Sequence, residues 1–236
     1  MTAMDTRTLI DQLATDAAPV RPLPAPWVRT LIWIALSVPY LAIVVLMMSP
    51  RADLLAKLME WRFAIELAAA LATGVTAAMV AFLSVVPGTD RRLMLLPLLP
   101  LTVWLGSIGH GCVSEWMQLG ALALATPPSW MCVRGTLIAS ALPAVAIAIM
   151  LRRGAPLMPV ATAALGALGA AGLGHVGLRL FHTQDSSIMI LVWQIGSIFL
   201  LTVLAGIAGR YIFCWHARIR RACPSAVLQQ LASQHF

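Results

Sequence analysis

The chain has 236 residues, 60% of them hydrophobic and only 11% charged, with a formal net charge of +7. A soluble domain carries about 25% charged residues, so most of this surface is not built for water, and an ordinary soluble domain is excluded. In a soluble protein the positive charge would point to nucleic acid; here its placement along the chain reads as an orientation signal in a membrane, and no direct nucleic-acid binding is expected.

Residues 1–26 form a polar, proline-containing segment with no apolar core, so no cleavable signal peptide is expected. Between Asp5 and Asp16, Leu9, Ile10 and Leu13 fall with Ala14 and Ala17 on one side of a short helix, which Asp5 or Thr6 can cap. Pro19, Pro22, Pro24 and Pro26 end it and make an extended linker. A helix this short is marginal in water and needs a partner to order it; a frayed cytosolic tail is the alternative.

Six apolar spans follow, near 28–48, 63–86, 93–112, 131–151, 157–181 and 188–210, each close to the roughly 20 residues of a bilayer crossing. They predict an all-α integral membrane protein: a short cytoplasmic N-terminal helix and linker (1–26), a six-helix transmembrane domain (27–212) and a basic tail (213–236). With the N-terminus inside, Arg7, Arg21, Arg29, Arg91, Arg92, Arg152, Arg153, Arg210, Arg218, Arg220 and Arg221 lie on the inner side. Arg51, Lys57, Arg62, Arg134 and Arg179 lie on the outer side. That bias puts both termini in the cytoplasm. Trp27, Trp33, Trp61, Trp116 and Trp130 fall near span ends, where their rings favour the interface. The fifth span carries Gly166, Ala170 and Gly174 at four-residue spacing and is expected to be the central helix, because helices in lipid associate through small residues. Pro39, Pro97, Pro100 and Pro143 are expected to kink their helices.

Ionisable groups in the spans collect toward the outer side. Glu66 begins the second span, His110 and Cys112 end the third, and Cys132 and Arg134 begin the fourth. His175 and Arg179 close the fifth with His182 just beyond, the three sharing one helix face. Glu115 and Asp185 belong to the adjoining outer loops, while the inner halves of the helices hold almost nothing comparable. An outward-facing polar pocket is the simplest account. The plainer alternatives are that Arg134 and Arg179 snorkel or pair with Glu66 and Asp185, and that His175 is a hydrogen-bonding core residue. Cys112 and Cys132 flank the third-to-fourth connection. In an oxidising compartment they can form a disulfide closing about 20 residues, worth ~3 kcal/mol in the chain-entropy account. As thiols near His110, His182, Met117, Met131 and Met189 they can instead bind a soft metal such as Cu(I), or Zn. Spacing does not choose between the two. In the tail, Cys214, His216, Cys223 and His235 match no standard zinc-finger spacing. No HExxH, GxSxG, Walker loop or outer CxxC is present, so no enzyme is expected.

The segments TLIDQLATDAAPVRPLPAPW at the start, GHGC and PSWMCVRG around the outer loop, RRGAP before the fifth span and GLRLFH at its end resemble the NrsF family, six-span bacterial anti-sigma factors. The resemblance runs from about residue 5 to residue 213. It implies an inner-membrane protein that holds an extracytoplasmic-function sigma factor inactive, with that sigma factor and the lipid bilayer as its partners. In that family the paired outer cysteines are linked to sensing metal or redox stress, which carries over to Cys112 and Cys132. A regulatory copper, zinc or cadmium ion is then an expectation there, and no other cofactor is required. Leu9, Ile10 and Leu13 are the expected sigma-binding stripe. Two departures stand out: Gln194 occupies a place where family members often have a histidine, and the tail beyond Phe213 is longer than usual. Two competing readings use the same pocket. A metal-ion transporter needs a continuous polar path to the inside, which bare inner halves do not offer. A membrane disulfide-exchange enzyme needs vicinal thiols or a quinone site, and the chain shows neither.

Overall fold

The computed structural model describes residues 6–15, 23–86, 88–120, 130–154, 158–183 and 186–212. The regular structure among them is helical: α1 Thr6–Thr15, α2 Pro26–Met47, α3 Leu54–Met59, α4 Trp61–Leu83, a 3-10 turn Arg91–Leu95, α5 Leu98–Leu119, α6 Trp130–Arg152 and α7 Pro159–Phe181. The last crossing is assembled from α8 Ser187–Met189, a π-helical segment Ile190–Ile195 and α9 Gly196–Ile212. Six helices are long and apolar enough to cross a membrane, and they follow the six expected spans in order.

Several boundaries differ from the sequence reading, each for a local reason. The third span does not end at Cys112 but continues to Leu119, because Glu115, Met117, Gln118 and Leu119 are good helix formers. Gly120, at φ +55°, then stops it in a conformation that favours glycine. Pro97 caps α5 and Pro100 lies in its first turn, where a missing N–H costs no hydrogen bond; only Pro39 and Pro143 lie in helix interiors. Trp33 is not at an interface. It is fully buried and donates Nε1–H to the Pro143 carbonyl at 2.9 Å, whereas Trp27, Trp61 and Trp116 are exposed.

Helix α7 is the centre of the bundle and packs against α2, α4, α6 and α9. Of its span 56% is buried, against 17–44% for the other five. Its tightest neighbour is α4. A Cβ placed on Gly172 would lie 2.9 Å from both the Ala70 carbonyl oxygen and the Gly74 Cα, and one on Gly74 would lie 3.1 Å from the Gly169 oxygen. Two backbones approach this closely only when both sides are nearly bare, which is how helices associate without a hydrophobic drive. The expected stripe of Gly166 and Gly174 faces α6 instead, meeting Leu151 and Ser140. Two apolar clusters flank the α4–α7 pair. One joins Trp33, Phe82, Ile147 and Leu151 on the α2/α6 side, and the other joins Ala70, Trp104, Ile108, Ile190 and Ile198 on the α5/α9 side.

Candidate functional site

The end of the bundle where α4 begins and α5 and α7 finish carries a connected set of polar groups. Its centre is Glu66, in the second turn of α4. The Glu66 Oε1 lies 3.0 Å from His175 Nε2 and 3.1 Å from Arg179 Nε, two residues one turn apart on α7. His175 is fully buried and Arg179 nearly so. Two rings enclose the set: Trp104 meets His175 edge-on with centroids 4.7 Å apart, and Phe63 presents its face to the Arg179 guanidinium at 4.9 Å. Isolated, a guanidinium at this depth would be expensive. One shared carboxylate and an aromatic face offset that cost. The pairing of Arg179 with Glu66 and the hydrogen-bonded core role of His175 are the plainer alternatives of the sequence reading.

A strap covers this set. Beyond α2, Ser49 takes a positive φ of 63° and turns the chain back. Arg51, 4% exposed, then lies over the C-terminus of α7. Its guanidinium forms a two-pronged pair with Asp53 at 2.7 and 2.8 Å and donates to the His182 carbonyl at 3.3 Å. Its backbone N–H donates to the Leu180 carbonyl at 3.1 Å. These bonds occupy carbonyls that the end of a helix otherwise leaves unsatisfied.

A second set lies alongside, between α5 and the start of the last crossing. Glu115 accepts from the Ser187 N–H at 2.6 Å and from the Ser186 hydroxyl at 3.1 Å, so α5 caps the N-terminus of α8 from outside. Gly111 allows this approach, since a Cβ there would overlap both Arg62 Nη2 and Ser187 Oγ. Cys112 is half-buried against the cluster of Ala69, Ala70, Trp104 and Ile108. Trp104, Ile108 and Cys112 are spaced by four residues, so the thiol shares an α5 face with the ring that touches His175.

Not every expected member joins. His110 is exposed; two residues from Cys112, it points about 200° round the helix and away from the thiol. Arg134 is also exposed. His182 ends α7 in an extended conformation and contributes its carbonyl to the Arg51 strap. Cys132 is the third residue of α6, and its side chain lies outside the described part of the structure, as do Asp185, residues 121–129 and the tail from 213 onward. Among the described residues no group of three or more His, Cys, Asp or Glu is placed to hold a metal ion. Sequence reasoning missed Arg51, Phe63, Trp104 and the two serines. Only Trp104 carried a signal, as a mid-span tryptophan in phase with Cys112. Nor is the opposite end as bare as expected: Arg29 is buried there, and Ser84 and Thr162 share a buried hydroxyl hydrogen bond of 2.7 Å.

A family model described as NrsF, negative regulator of sigma F, matches residues 13–215, which takes in all six crossings and both polar sets. The chain belongs to the NrsF family. No curated protein and no solved structure matches it. NrsF membership makes the chain a negative regulator of a sigma factor. The Glu66–His175–Arg179 set lies at the end of the bundle opposite the start of α2.

Proposed function

We propose that this NrsF-family chain sits in the bacterial cytoplasmic membrane with both termini inside and sequesters an extracytoplasmic-function sigma factor. Its cysteine-bearing end then faces the periplasm, and metal or oxidant acting there releases the sigma factor. The observation that carries the reading is the family match over 13–215, which begins inside α1 and runs through all six crossings. Two features support it. Ile10 on α1 is exposed, as an anchor awaiting a partner groove would be. Cys112 lies on the α5 face that touches the Glu66–His175–Arg179 set, so a bond formed at its sulfur shifts α5 against the α4–α7 pair. Helix α7 runs from that set to Thr162 at the far end, where the Thr162 hydroxyl meets that of Ser84 just beyond α4.

Ligation acts only through its difference in affinity between two packings of these helices. A shift from 1:99 to 99:1 takes about 5.5 kcal/mol, within reach of a disulfide or a pair of thiolate–metal bonds. A transporter reading finds no support, because the middle of the α4–α7 interface is glycine and alanine packed backbone to backbone.

The test is capture of the cognate sigma factor by the full chain in membranes, read alongside a sigma-dependent reporter. Leu13→Asp and a deletion of residues 1–20 are expected to lose capture and switch the reporter on without signal. Full repression by the deletion variant would place the contact elsewhere.

A further inference from the structure

The structure holds a second feature, on the α2/α6 side of the bundle, across the α4–α7 pair from Cys112. A groove of about 660 Å³ runs between α2 and α6 from Leu23, Pro24, Arg29 and Arg153 to Tyr40 and Ala141. We propose that it is a binding site for one anionic phospholipid, with the phosphate held by Arg29 and Arg153 and an acyl chain along Ile32, Leu36, Val145 and Ile149.

Arg29 is the residue that asks for a ligand. It is 3% exposed, lines the groove, and donates one N–H to the Met150 carbonyl at 2.5 Å, with its guanidinium 4.5 Å over the Phe82 ring. No carboxylate pairs with it among the described residues. The contrast with the molecule's other buried arginines is direct, since Arg51 has Asp53 and Arg179 has Glu66. A guanidinium has five N–H donors, and a buried cation without a counter-ion is costly. Arg153, one turn beyond Met150, adds a second positive charge to the same end of the groove. Two cations at one mouth, with no acid among the described residues that line it, complement a phosphate.

The rest of the groove identifies the molecule that carries that phosphate. Below the arginines the walls are aliphatic, which a free inorganic anion would leave empty. An extended peptide there would bring backbone N–H and C=O groups into an apolar slot; an acyl chain brings none. From Arg29 to Tyr40 is 11 residues, about 16 Å at 1.5 Å per residue. That is close to half of the ~30 Å hydrocarbon core, the depth of one leaflet. The groove walls are tied together by Trp33 Nε1 to the Pro143 carbonyl at 2.9 Å and by the Tyr40 hydroxyl to the Ile138 carbonyl at 2.6 Å. A zwitterionic headgroup supplies its own cation, so the pair of arginines favours a lipid of net negative charge.

Competition between phosphatidylglycerol and phosphatidylcholine for the full chain, read by native mass spectrometry in mild detergent, tests this. At about fivefold per arginine, the wild type is expected to retain phosphatidylglycerol roughly 10- to 30-fold better. Arg29→Gln and Arg153→Gln each lower that preference about fivefold. Val145→Trp, at a lipid-facing position, fills the groove and removes retention of both lipids. Should Arg29→Gln not fold, Arg153→Gln and Val145→Trp carry the test from exposed positions. Equal retention of the two lipids by the wild type, or an unchanged preference in Arg153→Gln, overturns the proposal. So does displacement of the lipid by millimolar sodium phosphate, which would make the site one for a free anion. The readout needs no sigma factor, so its result is independent of the sequestration reading.

Discussion

Removing the Glu66 carboxylate tests whether the buried polar set is a structural keystone of the bundle. In Glu66→Ala, His175 Nε2 loses its partner at 3.0 Å and Arg179 Nε loses its partner at 3.1 Å. Breaking one side of a buried ion pair costs about 3–5 kcal/mol. The Glu66 side chain is 12% exposed, which places the expected loss toward the lower end, about 3 kcal/mol. The contact of Arg179 with Phe63 survives and retains ~0.5–2 kcal/mol of the cation's stabilisation. Against a total stability of about 5–15 kcal/mol, this is a large fraction. The double variant Glu66→Leu with Arg179→Met replaces the pair by apolar side chains and is expected to recover only the part of the loss that comes from the unpaired guanidinium. It leaves the His175 hydrogen bond unmade, at about 1–3 kcal/mol. Reversible unfolding in mixed detergent micelles measures both variants. A single variant within 1 kcal/mol of wild type, or a double variant less stable than the single, would refute the argument that Glu66 neutralises a buried cation.

Three further outcomes are expected. Gly172→Ala forces the α4 and α7 backbones apart and should cost about 1–3 kcal/mol. Gly206→Ala meets only ordinary contacts, the nearest at 3.4 Å, and should stay within about 0.5 kcal/mol of wild type; similar losses for the two would sink the close-approach argument. Cys112→Ser and Cys132→Ser, singly and together, should keep normal protein levels but lose induction by copper, zinc, cadmium or oxidant in the sigma reporter. Their double variant should be no worse than the stronger single, and wild-type induction in that double variant removes the thiols from signalling. Reporter fusions at residue 120 should score outside and those at 89, 154 and 236 inside; an inside score at 120 moves the cysteines to a reducing compartment.

Six crossings, their order and the central place of the fifth were legible in the chain, because burial in lipid demands about 20 apolar residues each and close packing demands small ones. The one-sided collection of Glu66, Cys112, His175 and Arg179 was legible for the same reason: a polar group in an apolar span stands out. What the one-dimensional pattern lacked was the angle at which each residue leaves its helix relative to the neighbours. His110 and Cys112 are two residues apart and look like one site, yet 100° of rotation per residue sends them to opposite faces. Arg29, Arg51 and Arg179 are the same residue type near span ends, and charge counting treats them alike. Tertiary packing separates them: Arg179 meets Glu66 from another helix, Arg51 folds back over the end of α7, and Arg29 faces a groove with no carboxylate among its described lining residues. Hydropathy measures how much each segment prefers lipid, a sum over residues that needs no partner. Which charge meets which depends on contacts between helices far apart in sequence, and only the folded bundle decides those.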